Sequence, residues 1–173
     1  ESSIDNVRII GSVNLGDNVR VEDGTSIRGD EGVPISIGDN ARIGKNNTFH
    51  SLNKKVIEIG KDFKLGSDAV IHGPLDMGDN VEVGNRAIVF KSKIGNNVVI
   101  GNNAVVTGVR LLDGAVIPPG TIVGSQKDAE KFNDAVRKDS PKEPASLFGF
   151  IFAAFIPAGL GLVGSVALRD RHQ

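Results

Sequence analysis

The sequence predicts an all-β solenoid: a left-handed parallel β-helix of hexapeptide repeats, followed by a C-terminal amphipathic helix and a transmembrane helix. Three observations carry this prediction. Apolar residues followed by Gly recur at six-residue intervals, Gly/Asn/Asp clusters mark the corners between them, and a long uncharged stretch lies near the C-terminus. The composition sets outer bounds. The 173 residues include 22 Gly but no Cys, Trp or Tyr, and the formal net charge is −1. Such a balance leaves no basic footprint, so nucleic acid is not an expected partner. Without Cys there is no disulfide framework, thiolate zinc site or cysteine nucleophile.

The repeat comes first. Leu15-Gly16-Asp17-Asn18, Ile37-Gly38-Asp39-Asn40, Met77-Gly78-Asp79-Asn80, Ile94-Gly95-Asn96-Asn97 and Ile100-Gly101-Asn102-Asn103 share one pattern. Val21, Ile27, Ile43, Phe49, Ile59, Leu65, Ile71 and Val83 fill the steps between them. A six-residue period suits neither an α-helix nor a sandwich with turn signals every 8–12 residues. It suits a coil of short strands ending in Gly or Asn corners that tolerate φ > 0. The leading apolar residue of each hexad points inward, and stacked coils bury a continuous core. Three hexads close one triangular coil, and the β-helix is expected over residues 1–124.

Two interruptions of equal length break the register. Four extra residues, Val33 to Ser36, follow the hexads at 15, 21 and 27; four more, Lys55 to Glu58, follow those at 37, 43 and 49. Because the interruptions match, Arg28, His50 and His72 all occupy the second position of the third hexad in successive coils. Stacked strands lie ~4.8 Å apart, so these side chains should form one column. Two histidines so placed are either ligands of a shared metal or a surface pair.

Three stretches resemble the γ-class carbonic anhydrases: Ile27 to Gly44 (IRGDEGVPISIGDNARIG), Val70 to Asn97 (VIHGPLDMGDNVEVGNRAIVFKSKIGNN) and Gly108 to Phe132. The likeness covers roughly residues 5–135. It implies a trimer with zinc between subunits, two histidines coming from one subunit and the third from its neighbour. His50 and His72 match the first pair. The position of the third ligand, five residues before His72, is occupied by Ser67. A catalytic zinc needs three protein ligands and an open water position, and a serine hydroxyl is a poor ligand. Zinc binding by His50 and His72 alone is therefore expected to be weak. The family's active-site glutamine aligns with Gly44, and its proton-shuttling acid with Asn53, where a longer acidic loop shrinks to Lys54-Lys55. Arg28 and Asp30 resemble a salt bridge between subunits, and Glu31 resembles an active-site carboxylate, the one candidate catalytic residue.

Beyond the coils, Gln126 to Arg137 reads as an amphipathic helix with Ala129, Phe132 and Val136 on one face, within a helical region 125–138 that packs on the β-helix. A linker with two prolines follows over 139–145. Residues 146–168 carry no charge. As a helix they would span roughly 34 Å against a hydrocarbon core of about 30 Å, and they are expected to anchor the protein in a membrane. A polar tail, 169–173, ends the chain. The Lys/Arg balance around this span favours a cytoplasmic β-helix. The chain opens on Glu1 rather than Met, which fits either a removed signal peptide or a trimmed N-terminus; on the signal-peptide reading an extracytoplasmic β-helix is the expectation adopted.

The reading is a membrane-anchored γ-carbonic-anhydrase-like subunit of a homo- or heterotrimer, non-catalytic alone, with a structural or assembly role in a larger membrane complex. The alternative is an active zinc enzyme hydrating CO2 to bicarbonate, its missing imidazole supplied by a homologous partner subunit. An acyltransferase shares the coil, but only hexads and histidines speak for it.

Overall fold

A computed structural model describes residues 3–4, 6–30, 32–51 and 54–139, and within them the chain winds into a parallel β-solenoid of about six turns closed by one helix. Each turn contributes to three walls. The first wall contains Val13–Leu15, Ile35–Ile37 and Ile57–Ile59; the second contains Arg20–Val21, Arg42–Ile43, Lys64–Leu65, Glu82–Val83, Val99–Ile100 and Val116–Ile117. The third contains Ser26–Gly29, Thr48–His50, Val105–Thr107 and Ile122–Val123, and the longer strands Val70–Met77 and Ile88–Ile94 run round a corner from the third wall into the first. Every strand pairing is parallel, and one turn advances the chain by 22, 22, 18, 17 and 17 residues from Arg20 to Val116.

The inward positions are those that the repeat predicts. Val21, Ile27, Ile37, Ile43, Phe49, Ile59, Leu65, Ile71, Met77 and Val83 are all buried. A second inward residue lies four positions after Leu15, Ile37, Ile59, Met77, Ile94 and Leu111, where Val19, Ala41, Phe63, Val81, Val98 and Ala115 stack behind the second wall. The hexad reading assigned only one. At the corners Asn18, Asn40, Asn46, Asn80, Asn97 and Asn103 take φ between 53° and 61°. Asn tolerates this left-handed region because its short polar side chain bonds locally.

The extra residues lie earlier than the hexad count places them. Gly11 pairs with Gly29 and Val13 with Ile35, so the inserted residues fall within 30–34 rather than Val33 to Ser36. His50 pairs with His72 and Ile57 with Leu75, which puts the second insertion within 51–56 rather than Lys55 to Glu58. The cause is the alternation of a strand: in Ile35-Ser36-Ile37 and Ile57-Glu58-Ile59 both isoleucines point inward and are buried. The six-residue step also shortens to five twice, between Val89 and Ile94 and between Val106 and Leu111. The register slips between His72 and Leu75 against the next coil, so Ser92 stands opposite Leu75 and later turns are a residue shorter. Ser92 is buried, donates to the Phe90 carbonyl and accepts the Val109 N–H.

The helix spans Gln126–Asp139. Ser125 caps it, its hydroxyl accepting the Asp128 N–H at 3.2 Å and donating to the Asp128 carboxylate at 2.6 Å. Ala129 is buried and Phe132 and Val136 pack on the core, as expected, but the face also buries Asn133. Two side-chain amides finish the sheet edge. Gln126 Oε1 accepts the Arg110 N–H and Asn133 Oδ1 the Leu112 N–H, while both amide groups donate to the Arg110 carbonyl. No helix among the described residues is long and apolar enough to cross a membrane; the predicted span at 146–168, the linker and the tail lie outside the described residues.

Candidate metal centre

The strands put the histidines where equal insertions predict. Arg28 pairs with His50, His50 with His72, and His72 with Phe90, giving one outward column along the third wall. The imidazole centroids of His50 and His72 are 5.4 Å apart with planes at 77°. Phe90 closes the column from the other side, its ring centroid 4.5 Å from that of His72. Both histidines are half-buried. His72 Nδ1 lies 2.8 Å from the Gly73 carbonyl oxygen. A carbonyl only accepts, so Nδ1 carries a proton, and in the neutral ring the lone pair is then on Nε2, the arrangement metal-ligating histidines adopt.

Below His50, Arg28 donates to Asp30 at 2.8 Å within the same chain. The guanidinium, with a smaller contribution from His50, holds the Asp30 carboxyl below its ordinary range. Glu31 and Asn53 lie outside the described residues.

Ser67 belongs to a different edge. It sits at the corner between the second and third walls, where its hydroxyl accepts the Lys45 N–H at 3.1 Å and its own N–H donates to Asn85 Oδ1 at 2.8 Å. Asp39, Asp79, Asn85, Asn96, Asn102 and Asp113 accept a backbone N–H from the preceding turn in the same way. The Ser67 oxygen is thus one unit in a structural ladder.

Gly44 stands against it. A Cβ there would meet the Gly66 carbonyl oxygen at 2.7 Å and Ser67 Oγ at 2.8 Å, so any larger residue at 44 must displace the corner. Asn47 locks this corner from inside, a residue that sequence reasoning missed. It is buried; its amide donates to the Gly44 and Gly66 carbonyls at 2.8 Å each, and its Oδ1 accepts the Ala69 N–H at 2.8 Å. Thr25 adds a hydroxyl bond to the Gly44 carbonyl and accepts the Asn47 N–H. The signal was a polar residue on the inward period of the repeat, at Thr25 and Asn47.

One chain therefore offers two imidazoles on one edge and an engaged hydroxyl on another. Among the described residues no group of three His, Cys, Asp or Glu side chains can hold a metal ion. The donor set does not fit a catalytic zinc, which needs three protein ligands.

Comparisons with known proteins bear on the family to which the chain belongs. A family model described as the hexapeptide repeat of succinyl-transferase matches residues 34–48 and 92–125. The carboxysome assembly protein CcmM of Nostoc sp. is 36% identical over 141 residues, covering 76% of this chain and 25% of that protein. The carbonic anhydrase of Methanosarcina thermophila is 35% identical over 142 residues, covering 71% of this chain and 58% of that protein. The alignments thus span a quarter and somewhat over half of these relatives. Among solved structures, the UDP-N-acetylglucosamine acyltransferase from Campylobacter jejuni superposes with a TM-score of 0.50 at 19% identity, covering 70% of this chain and 62% of that one, which speaks for the fold alone. The repeats, the solenoid and these relatives together make the chain a member of the γ-carbonic-anhydrase-like family of hexapeptide-repeat proteins.

Proposed function

We propose that this chain is a left-handed, γ-carbonic-anhydrase-like subunit of a trimer, non-catalytic on its own, with a structural or assembly role in a membrane complex to which residues 146–168 anchor it. The observation that carries the proposal is Ser67: at the third-ligand position stands a hydroxyl that accepts the Lys45 N–H as part of the corner ladder. The likeness to a protein named for carboxysome assembly supports an assembly role. Arg28 and Asp30 are assigned to the subunit interface and Glu31 to a carboxylate beside the histidines. The β-helix lies on the extracytoplasmic side.

A second reading has its own support. His50 and His72 meet edge to face with His72 Nδ1 engaged by the Gly73 carbonyl, and a relative is named carbonic anhydrase. In a mixed trimer a homologous subunit would supply the missing imidazole, and the complete set would hydrate CO2 to bicarbonate. Zinc content and CO2 hydration, measured on the purified assembly with a count of its chain types, separate the two. One chain type without stoichiometric zinc or activity supports the scaffold; full zinc occupancy and turnover in a homotrimer overturn it. Zinc with two chain types establishes the shared site.

A further inference from the structure

On the far side of the corner from the histidines lies an open groove of about 690 Å3, and its charge is opposite in sign to that of the chain. The whole chain carries a formal −1, yet the groove is lined by Lys54, Lys55, Lys91, Lys93 and Arg110 against two carboxylates, Glu58 and Asp76. The strand register explains the concentration. Asp76 pairs with Lys93 and Lys93 with Arg110, so the outward column of the first wall changes from acidic to basic along the axis. Lys91 stands two residues before Lys93, at φ 49° on the corner. On the opposite side Lys55 belongs to the inserted segment, its carbonyl held by the buried Ser51 hydroxyl.

Only one of these cations has a carboxylate partner among the described residues: Lys93 lies 3.3 Å from Asp76. The Lys91 ammonium rests over the Phe90 ring, 5.0 Å from its centroid, which positions the charge without neutralising it. The floor between the cations is apolar, with Leu75 and Val109 buried beneath it. Solvated lysines on a protein surface normally point apart. Here Lys91 and Lys93 belong to one rung and Arg110 to the next, ~4.8 Å further on, whereas Lys55 lies two rungs before Lys91; the step from Lys91 to Arg110 is wider than one phosphate and close to the extent of two linked phosphates. An Arg guanidinium adds a planar fork that fits phosphate oxygens in bidentate fashion.

We propose that this groove binds a small diphosphate-bearing ligand, Lys91 and Arg110 holding its oxygens and Leu75 and Val109 supporting the adjoining apolar part. This site is separate from the histidine column and does not depend on metal there. The test is isothermal titration calorimetry of the full-length chain in detergent with pyrophosphate as probe. Saturable one-to-one binding is expected. It should weaken about tenfold or more in the doubly substituted Lys91→Gln/Arg110→Gln protein, and should weaken with added NaCl, as charge pairing in a solvated groove requires. Lys61→Gln, which removes a cation outside the groove, should leave it unchanged. No saturation up to about 10 mM pyrophosphate, or equal losses in the double variant and Lys61→Gln, overturns the proposal.

Discussion

Replacing Asn47 by Ala removes the clamp beneath the corner that carries Gly44 and Ser67. Three side-chain hydrogen bonds disappear, and their partners stay behind: the Ala69 N–H, the Gly66 carbonyl and the Gly44 carbonyl. Gly44 keeps the Thr25 hydroxyl as a partner, so its loss is small. The Ala69 N–H has no replacement, because Ala69 is buried and its side chain can offer nothing. A buried donor left without a partner costs about 1–3 kcal/mol, and an abandoned carbonyl somewhat less, since it has a second lone pair. The cavity left by the amide adds roughly 1 kcal/mol. The expected total is ~3–5 kcal/mol. It should appear in urea unfolding as a lower midpoint with unchanged slope, and in hydrogen exchange as lost protection at the Ala69 amide. Asn14→Ala, which removes one exposed bond to Ser36, serves as the control and should cost under about 1 kcal/mol. If Asn47→Ala unfolds within about 0.5 kcal/mol of the wild type, the corner is not held by this amide, and the account of Gly44 and Ser67 falls with it.

Ser67→His should raise zinc stoichiometry in the trimer, read by metal analysis, with CO2 hydration returning only in part because Gly44 leaves the neighbouring contacts unrepaired, a loss of about 10–100-fold; unchanged zinc content would show that residue 67 does not face the histidine pair of a neighbour. Arg28→Gln should loosen the assembly seen in light scattering and return the Asp30 carboxyl to its ordinary range. Since Asp30 is depressed in the folded protein, its stabilising effect is present above the ordinary carboxylate value and fades as pH falls through the lower folded value; an acid-unfolding profile that Arg28→Gln leaves unchanged would refute the pairing. Removing residues 146–173 should leave a folded solenoid whose β-type circular dichroism persists; its loss would make that segment part of the fold.

Much of this was legible because a solenoid writes its geometry as a period. The leading residues of the hexads mark the core, and the equal insertions keep His50 and His72 aligned with Arg28. The absence of a third imidazole is equally plain at Ser67. The insertion boundaries were not legible, because counting one inward residue per hexad leaves Ile35 and Ile57 looking surplus when strand alternation buries them. Gly44 reads in sequence as a lost glutamine, whereas its reason is steric: the neighbouring corner allows no Cβ. Asn47 and Asn133 escaped notice because a polar residue on an apolar period looks like an exception, and only the carbonyls and amides around it reveal the hydrogen bonds it completes.

The amides of Gln126 and Asn133 also decide how such molecules can stack. A solenoid with two bare ends is a monomer for a fibre, since each sheet edge templates the next chain head to tail. Here one end is terminated by side chains already bonded to the Arg110 and Leu112 backbone. At the other end Ile4 and Ile9 remain 38% and 42% exposed. A second copy stacking on the helix-capped end must first break these four side-chain bonds, so the two amides act against head-to-tail growth there.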